Sequence, residues 1–170
     1  LYIHDELSYD SFHEKGDRIV LVGAGDPDDA ATHSMSTSYP LGDALVSDLP
    51  FVQKTVRVLW PGSGDVSSDG RSFREVDGTF HVGESFFEVF DFPLLRGDPT
   101  NVLARPNTAV VSQRFAREHF GNEDPVGQTL HVRRYGEHTY EITGVADSRR
   151  NSYLEFNILL SLATTEYDER

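Results

Sequence analysis

The stretch Arg18-Ile19-Val20-Leu21-Val22-Gly23-Ala24-Gly25 opens like a dinucleotide-binding turn, a short apolar run leading into Gly-x-Gly. That chemistry requires a third glycine three residues further on and a helix whose N-terminus faces the diphosphate. The position is Asp28, with Asp26 and Asp29 beside it, and no helical period follows. Three carboxylates there repel a diphosphate, so the stretch predicts no dinucleotide site. The same carboxylates, and Asp65 with Asp69, are of a type that holds hard cations. Calcium takes roughly six to eight oxygens from an ordered loop, and neither stretch has EF-hand spacing. Solvated loop carboxylates are the plainer reading.

Other chemistries fare no better. The seven histidines stand at 4, 13, 33, 81, 119, 131 and 138, and none forms the helical His-x-x-x-His pair of zinc hydrolases. His4-Asp5-Glu6 is compact but lacks a second ligand cluster, and with Leu7 it is internal, so it is no retrieval signal. Cysteine is absent, which removes thiol catalysis, thiolate zinc and disulfides. Gly62-Ser63-Gly64 is not a nucleophile elbow, and there is no P-loop. No pair of carboxylates stands apart as acid and base. The sequence therefore points to no enzyme and assigns no catalytic residue, no cofactor and no metal ligand.

The densest apolar feature is Phe86, Phe87, Phe90 and Phe92. At helical spacing Phe86 and Phe90 share a face, and two readings follow: a packed core, or a partner-contact groove with one face open.

The elements that position these residues alternate between strand and helix signals. Leu1 to Lys15 has loosely helical spacing, and Gly16 breaks it. Residues 18–22 read as a buried strand and 23–38 as a long loop. A helix follows Pro40, with Leu41, Ala44, Leu45 and Leu49 on one face, and Pro50 stops it. A strand covers 52–60, with Val56, Val58 and Trp60 on one side. Polar turns at 61–64 and 67–70 mark an internal boundary. Beyond it, 73–76 and 79–82 flank Asp77-Gly78 as a hairpin. A short helical turn spans 85–90, and 108–111 is a strand. Ser112 caps a helix over Gln113 to Phe120 that Gly121 closes. A second hairpin pairs 129–134 with 139–145, setting Leu130 and Val132 against Tyr140 and Ile142. A last strand lies near 154–160. The fold class is α+β, in two lobes.

A chain of 170 residues with 38% hydrophobic and 25% charged residues is globular in composition. Its 28 acidic side chains against 15 basic ones leave a net charge of −13. Such a surface repels phosphate backbones, which argues against nucleic acid as a partner. Lys15 and Lys54 are the two lysines, and an acidic, lysine-poor surface suits high salt. No apolar run reaches the roughly 18 residues of a membrane span. Leu1-Tyr2-Ile3 opens the chain without Met or a signal-peptide pattern, as in a piece of a longer polypeptide.

Several long segments resemble one family. Ser8-Tyr9-Asp10-Ser11-Phe12-His13 with Asp17-Arg18-Ile19 is similar to the segment after the first membrane span of MacB/FtsX-type ABC transporter permeases. Phe86-Phe87-Glu88-Val89-Phe90-Asp91-Phe92-Pro93-Leu94-Leu95-Arg96-Gly97-Asp98-Pro99 resembles a second block of that family. Val110 to Ala116, Phe120-Gly121, Glu123 to Leu130 and Tyr140 to Val145 resemble the blocks that follow. The resemblance implies a MacB-like periplasmic core domain on the outer side of a bacterial inner membrane. It implies a porter-like βαβ lobe from 1–62 and 149–170, with a mostly β lobe of 70–148 inserted. By the same resemblance Leu1, Tyr2 and Ile3 are the junction with the first span. The partners it implies are a cytoplasmic ABC ATPase reached through the spans, a periplasmic adaptor or substrate protein, and a second permease subunit. The function implied is non-catalytic coupling of ATP hydrolysis to export, lipoprotein release or regulation of a partner. The reading from composition alone is a stand-alone acidic binding or adaptor module.

Overall fold

Thr108-Ala109-Val110-Val111-Ser112 and Ile158-Leu159-Leu160-Ser161 are short runs without polar alternation, the pattern of strands covered on both faces. In the computed structural model, which describes residues 10–26, 29–59, 63–133, 136–148 and 152–168, they are neighbours in the middle of a nine-stranded sheet. The chain order is β1 (Ala24–Asp26), β2 (Asp29–Ser34), α1 (Leu41–Asp48), β3 (Val58–Leu59), β4 (Ser63–Ser67), β5 (Arg74–Asp77) and β6 (Thr79–Val82). It continues with α2 (Phe86–Val89), β7 (Leu94–Arg96), β8 (Thr108–Ser112), α3 (Gln113–Phe120), β9 (Thr129–Arg133), β10 (Glu137–Ala146), β11 (Ile158–Ser161) and α4 (Ala163–Asp168). The fold class is mixed α+β, as the sequence indicates.

Hydrogen bonds link the strands in the order β3-β6-β11-β8-β10-β9-β4-β5, with β7 on β10. The β8–β10 and β6–β11 pairs are parallel and the others antiparallel. Strand β10 carries β9 along Glu137–Glu141 and β7 at Val145–Ala146, with β8 on its other side. The expected facing holds but the register is shifted by two residues: Tyr140 stands opposite Leu130, while Val132 meets His138 and Ile142 lies beyond the end of the β9 pairing. Strand β11, from the 149–170 stretch, sits between β6 and β8 of the 70–148 stretch, so one sheet runs through both.

The hairpin expected across Asp77-Gly78 does not form. β5 pairs with β4, and β6 pairs with β3 and β11. Only Gly78 separates two strands that lie near opposite ends of the sheet, so the sheet must curl until those ends meet. Gly78 turns the chain at φ +65°, and its carbonyl accepts the Asn157 and Ile158 N–H groups at 2.8 and 3.1 Å. The Asp-Gly signal was a true turn with the wrong partners, because β6 gains a buried parallel neighbour instead.

Alternation along the central strands feeds two cores. Ala109, Val111, Ile158 and Leu160 join Leu130, Val132, Tyr140 and Ile142 under α3, which contributes Phe115, Ala116 and Phe120. The Ser112 hydroxyl accepts the Phe115 N–H at 3.0 Å and so caps that helix, and Gly121 closes it. Val110 and Leu159 point the other way, into Phe80, Val82, Phe86, Phe92, Val102, Leu103 and Phe156. Buried polar groups in the sheet are matched: Ser161 Oγ donates to Leu103 O at 2.9 Å, and Thr108 Oγ1 to Arg105 O at 2.7 Å.

The first sixty residues depart most from expectation. Residues 18–22 form no strand; a 3-10 turn at Gly16–Arg18 leads into unpaired chain where Val20 and Leu21 are each 77% exposed. The loop expected at 23–38 contains the β1–β2 hairpin, a separate two-stranded sheet. The 52–60 strand shrinks to β3, and Trp60 lies outside the described residues. Helix α1 forms where expected but buries no residue. β-propensity is realised only beside a partner strand, and the Arg18–Val22 run has none among the described residues.

Gly97 offers a direct test of the packing. Its φ is +102°, and a Cβ there would meet Val102 Cγ1 at 2.6 Å and Thr143 O at 2.7 Å. Gly97→Ala is expected to cost about 3 kcal/mol, backbone strain and overpacking together. Urea denaturation measures it, and a loss under about 1 kcal/mol would contradict the packing described.

Candidate functional site

Phe86, Phe87, Phe90 and Phe92 come together on the face of the sheet away from α3. Ser85 to Phe90 is a single helical turn, which aims Phe86 inward, and the chain then extends so that Phe92 returns to the same pocket. Phe86 is 1% exposed and Phe92 4%, while Phe87 and Phe90 are partly buried against them. The rings of Phe86 and Phe92 lie nearly parallel, centroids 5.7 Å apart, and Phe156 meets both edge-on at 6.1 and 5.2 Å. These are the offset and edge-to-face arrangements that aromatic quadrupoles favour.

Three other segments converge on the cluster. The first is Asp10 to Arg18. Phe12 packs edge-on against Phe92 at 5.3 Å, and His13 stands 5.4 Å from Phe92 and 5.5 Å from Phe90. The Asp91 N–H donates to His13 Nδ1 at 3.0 Å, and the Glu14 N–H donates to the Asp91 carboxylate at 2.8 Å. The second is 52–57: Ser85 Oγ donates to Thr55 O at 2.7 Å, Gly83 N–H to Arg57 O at 2.9 Å, and Lys54 pairs with Glu88. Helix α1 hangs on this segment through Thr55 Oγ1, which donates to Gly42 O at 3.3 Å. The third is 152–157, where the Tyr153 N–H reaches the Asp10 carboxylate at 3.4 Å and the Phe156 N–H donates to Ser148 Oγ at 2.8 Å.

His13 is the polar centre of this joint. Its side chain is 4% exposed. An N–H donating to Nδ1 fixes the neutral ring with its proton on Nε2, which faces Asp10 Oδ1 at 3.8 Å. Burial pushes the ring below the ordinary histidine value, and the Asp10 and Asp91 carboxylates oppose that shift with smaller effect. The sequence marks the Phe cluster but not its partners. Phe12, His13, Asp91 and Phe156 are far apart in the chain, and their one local signal is the aromatic and polar alternation of Ser11-Phe12-His13.

The remaining candidates do not converge on chemistry. Leu1, Tyr2 and Ile3 lie outside the described residues, as does Asp28. Asp65 is exposed on β4. Asp69 is occupied by its own turn, accepting Ser67 Oγ, Arg71 N–H and Ser72 N–H at 2.7–2.9 Å, which holds its carboxyl well below the usual carboxylate range. Among the described residues no group of three or more His, Asp or Glu side chains is placed to hold a metal ion. A shallow groove beside α3 is lined by Leu95, Arg96, Gln113, Arg117, Asn122 and Asp124, with Arg96 paired to Asp124. No helix among the described residues is long and apolar enough to cross a membrane.

The family model that matches is the MacB-like periplasmic core domain, over residues 1–170. No curated protein matches the chain. Among solved structures, a domain of a permease protein from Porphyromonas gingivalis is 22% identical at a TM-score of 0.63, over 72% of this chain and 56% of that one. The periplasmic region of MacB from Actinobacillus actinomycetemcomitans is 16% identical at 0.57, over 84% of this chain and 64% of that one. The extracellular domain of the ABC-type transporter YknZ from Gram-positive bacteria is 12% identical at 0.61, over 86% and 74%. The match thus spans little more than half of the first of these chains and under two thirds of the second. At these identities the likeness shows the fold.

Burial ranks the aromatic residues. Phe86→Ala removes a fully buried ring and is expected to cost about 3–5 kcal/mol. Phe87→Ala, partly buried, is expected to cost about 1–2 kcal/mol, in keeping with its smaller buried area. Denaturation of the two variants side by side checks the order; equal losses would contradict it.

Proposed function

Because the chain belongs to the MacB-like periplasmic core domain family, we propose that it is the extracytoplasmic domain of an ABC transporter permease that passes motion from the membrane to extracytoplasmic work. In this reading it is non-catalytic. ATP is hydrolysed by a cytoplasmic ABC ATPase, and Leu1, Tyr2 and Ile3 continue the first membrane span into the domain. The porter-like lobe comprises 1–62 and 149–170, the mostly β lobe is 70–148, and β3 and β11 are the strands by which the first joins the sheet of the second. A second permease subunit and a periplasmic adaptor or substrate protein are the remaining partners. The work is export, lipoprotein release or control of a partner.

One observation carries the mechanical part. The segment from Asp10 to Arg18 is clamped to the sheet by Phe12, by the Asp91 N–H on His13 and by the Glu14 N–H on Asp91. A displacement that reaches Asp10 would therefore pass to the doubly buried strands through packed rings and short hydrogen bonds. A coupling element needs such a connection between two arrangements that different ligands favour.

These 170 residues contain no cysteine, so a thiol introduced among them is unique within them. Tyr153 is 77% exposed, and Tyr153→Cys in the intact parent protein gives this domain one thiol. The expected result is membrane-bound protein labelled from outside the inner membrane by an impermeant maleimide, at a rate that differs between nucleotide-free and ATP-trapped states. Labelling only after lysis, or a free soluble protein, would contradict the permease reading. An unchanged rate in the two states would contradict the coupling.

A further inference from the structure

We infer that His13 is a proton-operated latch: protonation of its ring releases the Asp10–Arg18 segment from the aromatic core while the sheet stays folded. The inference rests on the geometry of the joint and is independent of any transport role. At 3.0 Å the Asp91 N–H occupies the lone pair of Nδ1. A proton on Nδ1 sets two donors against each other, and a buried N–H left without an acceptor is costly. The Asp91 carboxylate, which accepts the Glu14 N–H at 2.8 Å, could take an Nδ1–H, but its Oδ2 is 3.9 Å away and out of hydrogen-bond reach. The charged ring can turn an Nδ1–H to that carboxylate only by letting go of the Asp91 main-chain N–H. That bond and the Glu14 N–H on Asp91 hold the segment in place.

Among the described residues, the charged groups facing the ring are Asp10 from its own turn and Asp91 from the loop after α2, and the rings of Phe12, Phe90 and Phe92 pack beside it. The carboxylates favour protonation and the apolar wall opposes it, with burial prevailing. The released ring, in water, therefore takes up a proton more readily than the docked one. Docking is complete above the ordinary histidine value of about 6.5 and is lost as pH falls below it towards the lower docked value. What remains when the segment leaves is a sheet whose central strands still pair and whose α3 face is still covered. The opening is thus local, of the kind native proteins show at their less protected elements.

The test is histidine-selective NMR with amide hydrogen exchange on the whole 170-residue chain. The expected result is an Nε2–H tautomer for His13 above pH 7 and a protonation midpoint below about 6.5. Across that midpoint, exchange at residues 10–18 and at the Asp91 amide should rise by about tenfold beyond the intrinsic pH effect, with β8 and β11 unchanged. His13→Asn places an amide oxygen near the Nδ1 position without a titrating group, and its exchange profile should be flat through the same range. Asp91→Asn keeps the main-chain donor but removes the carboxylate, and should lower the His13 midpoint further. A midpoint at or above the ordinary value, or an Nδ1–H tautomer, would overturn the latch. So would titration without a change in exchange, or exchange rising equally across the sheet. The wild-type data decide this even if a variant fails to fold.

Discussion

Ala109 and Val111 project to one side of the sheet and Val110 to the other, and all three are fully buried, as are Ile158, Leu160 and Leu159 on the adjoining strand. A pair of strands with no solvent side must be covered twice, and most of the architecture follows from how each cover is made. One face is closed by α3 and by the curl that carries β4 and β5 round to the start of β6. On the other, no long helix lies among the described residues. Its cover is assembled from a four-residue helix, the loop through Phe92, the residues near Phe156 and the segment from Asp10 to Arg18. Because these pieces are small, rings supply the contact area, and His13 with Asp91 supplies the polar connection.

This division explains what the sequence made legible. Helix α3 carries its own cap, its own apolar face and its own stop signal, and it appears where those signals place it. The β9–β10 hairpin is likewise local, with its facing set by the alternation of Leu130, Val132, Tyr140 and Ile142. The aromatic cluster shows in the sequence as a cluster, but its closure does not. Phe12 and His13 lie some eighty residues from Asp91, and nothing in a local window couples them. Residues 18–22 failed as a strand for the complementary reason. Val20, Leu21 and Val22 have the composition of a strand but no neighbour among the described residues to pair with, and period and propensity cannot supply one. Asp77-Gly78 is the intermediate case, a turn read correctly whose flanking strands join different neighbours.

The two faces of the sheet are therefore closed in different ways. The face covered by α3 is self-contained, while the other depends on the part of the chain that enters from the N-terminal side. The proposed latch would make the Asp10–Arg18 segment a releasable cover on that face of the sheet. The exposed Val20, Leu21, Met35 and Phe51 belong to the same N-terminal third, outside both cores.

The central claim is that the Asp10–Arg18 segment is an energetic part of the second core and not a strand of chain resting on it. A double-mutant cycle between Phe12 and Phe92, whose rings meet at 5.3 Å, tests this most directly. The account predicts that Phe12→Ala and Phe92→Ala are non-additive in urea denaturation, with a coupling energy of about 0.5–1.5 kcal/mol. Additivity to within about 0.3 kcal/mol would mean that the segment does not help to close the core, and would contradict the account.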